Sequence, residues 1–166
     1  MPMINTHIST DIARIVSFID HIGLQVGPRN ISEETFLPGI QIQNGVIYYD
    51  DSKLQYPGDL LHEAGHFALL EPEKRAHASG DLEPGDGKTM NPNSLEIGVI
   101  LWTWAAILFL DLDPKVVFHQ NGYRGSSDWY IENFSQGNYI GLPLLQWLSL
   151  CIGPLDSSPE YLNYRK

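Results

Sequence analysis

The chain has 166 residues, enough for one domain with a substantial core, and its 43% apolar and 18% charged residues mark a globular protein. A net charge of −10, with Lys and Arg scattered along the chain, would repel a phosphate backbone and excludes nucleic acid as an expected partner. The single Cys151 excludes an intrachain disulfide framework and a cysteine-based zinc knuckle; within its apolar run it reads as a small core residue.

No basic segment leads into an apolar stretch at the N-terminus, so no secretory signal is read and a cytoplasmic location is expected. Residues 10–24 place Ile12, Ile15, Val16, Ile19 and Ile22 at helical spacing, with Thr10 or Asp11 as cap and Gly23 as stop. In residues 39–50, Ile40-Gln41-Ile42-Gln43 and Val46-Ile47-Tyr48-Tyr49 flank Asn44-Gly45, the strongest short hairpin signal. Tyr56-Pro57-Gly58 then breaks the pattern, and Asp59 is read as the N-cap of a helix that packs Leu60, Leu61, Ala64, Phe67 and Ala68 inward and stops near Pro72.

Residues 71–92, rich in Gly, Pro, Asp and Lys, predict a long loop with a short helical turn around residues 73–77. Residues 95–110 predict a strongly apolar helix, too short for a membrane span and headed by Glu96, so no membrane partner is expected. Further helices are expected over residues 128–134 and 142–152, the latter with Pro143 in its first turn. These elements predict a single α+β domain over residues 1–166, with its oligomeric state left open.

The chemistry concentrates in His62-Glu63-Ala64-Gly65-His66. Histidines at i and i+4 project from one helix face about one turn apart, so both imidazoles can reach one zinc ion at the required bond length of roughly 2.0–2.1 Å. Glu63, beside the first histidine, is placed to take a proton from a metal-polarised water and pass it to a leaving amine. Gly65 in a helix interior costs about 1 kcal/mol relative to Ala, which implies a close neighbour packed against it.

Such a site wants a third protein ligand and an open fourth position. The metzincin pattern asks for a Gly and a further His three and six residues after His66, where this chain has Leu69 and Pro72. His77 lies in the polar loop, and Asp128 in Gly125-Ser126-Ser127-Asp128-Trp129-Tyr130 loosely matches an aspzincin motif. Glu96 is the strongest candidate: it opens a helix so apolar that its carboxylate is expected to be buried and in need of a partner. For stabilising a developing oxyanion, His119 and Tyr123, with Arg124 beside them, form the most attractive cluster; Tyr130 and Tyr139 also compete.

The order of helix, Asn-Gly hairpin, HE-x-GH helix, loop and Glu-headed helix resembles the zincin-like fold, specifically the small gluzincins such as the ImmA/IrrE-type metallopeptidases. The resemblance covers residues 10–110 and implies that His62, His66 and Glu96 hold Zn2+, that Glu63 is the general base, and that a peptide or protein substrate docks along the hairpin strand nearest the helix. No carboxylate follows Glu96 at one turn, where Val99 and Ile100 stand, so the groups that orient the histidine ligands must come from elsewhere. The expected function is zinc-dependent hydrolysis of a peptide bond. A zinc-binding module of the same fold without turnover is the second reading, and a helical domain with accidental histidines the third.

Overall fold

The computed structural model describes residues 6–80 and 92–150. The first helix, α1 (Thr6–His21), begins a turn before the expected cap, so Thr10 and Asp11 lie inside it. It closes where Gly23 was expected to stop it: Leu24 N–H donates to Ile19 O at 3.2 Å and Gly23 N–H to Asp20 O at 3.0 Å, the paired bonds of a Schellman end. A short strand that the sequence did not announce, β1 (Gln25–Pro28), follows directly.

Strands β2 (Ile40–Gln43) and β3 (Val46–Tyr49) form the expected hairpin. Asn44 and Gly45 both take positive φ, 48° and 79°, which the two-residue primed turn demands and which Asn and Gly supply at least cost. The sheet is mixed, in the order β1-β3-β2, with β1 parallel and β2 antiparallel to β3. Ile40, Ile42 and Ile47 turn inward, while Gln41 and Gln43 turn outward and accept hydrogen bonds from Arg29. The central strand β3 contacts the helix that carries His62 and His66, and it is paired on both sides.

That helix, α2 (Gly58–Leu69), packs along α4 (Pro92–Leu110), and the two form the middle of the core. Every residue of α2 except His62 is buried. Gly65 explains the close approach: a Cβ there would lie 3.0 Å from Val99 Cγ1 and 3.2 Å from Trp102 Cε3. The short α3 (Pro72–Arg75) turns Arg75 back onto the end of α2, where Nε donates to Phe67 O at 2.9 Å and Nη2 to Leu70 O at 3.0 Å, satisfying carbonyls that a helix end leaves free.

Helices α5 (Ser127–Ser135) and α6 (Leu142–Trp147) complete the described elements. Pro143 sits in the first turn of α6 as expected, but the helix ends at Trp147, and residues 151–152 of the expected helix, with Cys151, lie outside the described residues. So do residues 81–91, half of the expected 71–92 loop. Among the described residues there are six α-helices and one three-stranded sheet, an α+β arrangement, and no helix is long and apolar enough to cross a membrane.

Candidate metal centre

Asp59, His62 and His66 recur along one face of α2, at i, i+3 and i+7. His62 Nε2 lies 3.1 Å from His66 Nε2. Glu96, in the first turns of α4, reaches both rings: Oε1 is 3.2 Å from His62 Nε2 and Oε2 is 3.3 Å from His66 Nε2. The donor atoms of these residues all lie within 4.8 Å of one another, and the group could hold a metal ion. Two imidazole nitrogens and a carboxylate oxygen are also the donor chemistry that borderline divalent metals accept.

Glu96 is not buried, as the apolar character of its helix implied: its side chain is 36% exposed and stands at the open side of the cluster. Burial raises its pKa, but the hydrogen bond to His62 and the charges of His62, His66 and Arg124 hold it below the ordinary 4.5. Burial pulls His62 down, yet the bond and charge of Glu96, with Glu63 and Asp59 behind it, leave its pKa above 6.5. His66 is pushed down to about 3 by burial and then by the charge on His62, so its ring is a neutral donor.

Neither competing third ligand joins the group. Asp128 is exposed on the first turn of α5, and His77 is exposed in the turn after α3. Glu63 is buried on α2 and contributes to the wall of a groove of about 400 Å³ that β2, residues 33–37, Ser79 and Gly80 complete.

Tyr123 and His119, expected to serve a developing oxyanion, each bond to a residue of α2. The Tyr123 hydroxyl lies 3.2 Å from Nδ1 of His62, the ring nitrogen facing away from Glu96. In the tautomer that would leave Nε2 to a metal, Nδ1–H donates to the Tyr123 oxygen, and Tyr123 would then orient the ring. Burial, then the Asp59 and Glu96 carboxylates, push its pKa well above 10 and keep the hydroxyl neutral. Tyr123 and Arg124 adopt φ values of 55° and 52°, an unfavourable left-handed pair that turns this tyrosine toward α2.

His119 bonds through Nε2 to Asp59 Oδ1 at 3.1 Å and stacks on Tyr56, the rings 3.7 Å apart and 8° from parallel. Asp59 is therefore no N-cap. Pro57 occupies the cap position in helical conformation, with no side-chain cap bond, and Asp59 is drawn inside the first turn to meet His119. Burial raises the Asp59 pKa, and the His119 hydrogen bond opposes that rise. Asn121 Nδ2 donates to the Tyr56 hydroxyl at 2.5 Å and extends the brace. The spacing of Asp59 from His62 was a signal available in the sequence; the residues that meet Asp59 from the far side of the chain gave none.

Neither a protein-family model, nor a curated protein, nor a solved structure matches this chain. The functional reading therefore rests on the geometry of the site and the chemistry of its residues.

Proposed function

We propose that the protein is a zinc-dependent metallopeptidase of the gluzincin type with a zincin-like fold, in which His62, His66 and Glu96 hold the ion and Glu63 is the general base. The convergence of two imidazoles and a carboxylate carries this reading. Tetrahedral zinc with bonds of roughly 2.0–2.1 Å sets neighbouring ligand atoms about 3.3–3.4 Å apart. Here the two Nε2 atoms lie 3.1 Å apart and each meets a different oxygen of Glu96, Oε1 at 3.2 Å from His62 and Oε2 at 3.3 Å from His66, so that one donor atom from each residue falls within 4.8 Å of the others. When bound, the ion supplies Lewis acidity that brings the pKa of a water toward about 7.

Glu63 follows the first ligand in sequence and borders the groove, where it takes the proton from the attacking water and returns it to the departing amine. A peptide would dock on the outer edge of β2. The turn makes Gln43 and Val46 a hydrogen-bonded pair, so Ile40 and Ile42 direct their peptide groups outward. Ile40 N–H is taken by Leu37 O at 3.1 Å and Ile42 O by Gly80 N–H at 2.9 Å. Between those bonds the Ile40 carbonyl and the Ile42 N–H face the groove, enough to fix one residue of an extended substrate.

The positions of Tyr123 and His119 favour a second reading, a zinc-binding module without turnover, because these two of the candidate oxyanion donors are already bonded to His62 and Asp59. Glu63→Gln divides the two. Under the peptidase reading it keeps stoichiometric zinc and loses cleavage of a broad peptide library by about 10²–10⁴-fold. If neither protein cuts while both bind zinc, the module reading takes its place; if neither takes up zinc after reconstitution, both readings fail.

A further inference from the structure

We infer that the groove beside Glu63 selects an extended peptide by a basic side chain, its aliphatic stem lying on Phe36 and its charged head meeting Glu34 and Glu33. The inference rests on the peptidase reading and names the substrate class for that site. Three carboxylates, Glu33, Glu34 and Glu63, contribute to the groove, and no Lys or Arg is among its lining residues. The nearby cation, Arg29, stands behind the wall and is not among the lining residues: its guanidinium lies 3.4 Å over the Tyr48 ring and donates to Gln41 and Gln43 at 3.0 and 2.6 Å.

The wall is also ordered in a way that suits a ligand. Gln41, on β2, donates its amide to Glu33 Oε1 and fixes that carboxylate against the strand on which the peptide would lie. Glu34 is exposed and free to follow a ligand's charge. Beside them Phe36 is 81% exposed, the most exposed large apolar side chain among the described residues. An apolar peptide residue would cover the ring but desolvate the carboxylates at a cost, and an acidic residue would be repelled. A Lys or Arg satisfies both: its methylenes cover the ring, a cation is attracted to an aromatic face, and its head neutralises the acids. The net charge of −10 steers the same class of peptide toward the protein.

The test uses zinc-reconstituted full-length Glu63→Gln protein, so that peptides are bound and not consumed, against a positional-scanning library of octapeptides. At one position Lys and Arg should be bound about tenfold more tightly than neutral residues. Adding Glu34→Lys should abolish that preference and raise binding of Asp and Glu, and Phe36→Ser should weaken the basic peptides most. Both substitutions fall on exposed side chains, and a thermal melt checks that the fold is kept. Binding without a basic preference, a preference that survives Glu34→Lys, or no peptide binding at all overturns the inference. Cleavage of the same library by the wild type reports on the peptidase reading separately. Cutting with no basic preference leaves that reading standing without this one, and basic peptides that are bound but never cut leave this one standing alone.

Discussion

A histidine that ligates through Nε2 is oriented by the acceptor of its Nδ1–H, and for His62 that acceptor would be Tyr123. Tyr123→Phe should therefore weaken zinc binding by about 10–100-fold, read by competition with a chromogenic chelator, with the helical signal unchanged. A tyrosine that served instead as oxyanion donor would leave zinc affinity intact and lower kcat, so the same variant decides its role. The pairing of His62 with His66 was legible in the sequence because it is local, two imidazoles one turn apart on one helix. Glu96 was legible by its place at the head of an apolar helix, although its exposure was misjudged. Tyr123 meets His62 across 61 residues, through a turn whose left-handed backbone no residue type there announces. Asp59 was misread for the opposite reason: an Asp just before an apolar run fits a cap so well that its distant partner, His119, stays hidden.

At the scale of elements, the site depends on how closely α2 and α4 approach, because its histidines ride on one and Glu96 on the other. Gly65→Ala offers a measure of that dependence. Alanine favours the helix by about 1 kcal/mol, but its methyl would press on Val99 Cγ1 at 3.0 Å, Trp102 Cε3 at 3.2 Å and Thr103 Oγ1 at 3.3 Å, overpacking that costs about 1–3 kcal/mol. The expected outcome is a lower melting temperature together with weaker zinc binding, since α4 must give way and carry Glu96 with it. A variant as stable as the wild type would show that the interface yields freely and that Gly65 is not what sets the spacing. The hairpin was readable because alternation and Asn-Gly are both encoded within ten residues. Strand β1 was not: Gln-Val-Gly-Pro has no period, and what makes it a strand is parallel pairing with β3, some twenty residues on.

For the whole molecule, an ion held by residues from two central helices would tie the middle of the core together and bind only the folded chain. Zinc at about 100 times its dissociation constant should add about 2.7 kcal/mol, or roughly 5–10 °C in a thermal melt of a chain this size, and a chelator should remove the gain. Glu96→Ala should lose most of that shift while Asp128→Ala keeps it; the reverse result would move the third ligand to α5. The outer edge of β2 has a consequence at the same scale. Unpaired strands are where copies of a protein zip together into aggregates. Here Leu37 and Gly80 already cover the two ends of the edge, and at the other border of the sheet β1 closes on Pro28, which has no N–H to donate. What is left open, the Ile40 carbonyl and the Ile42 N–H, would grip a passing chain by one residue and is too short to template a second copy of itself, so the proposed docking strand would not bring polymerisation with it.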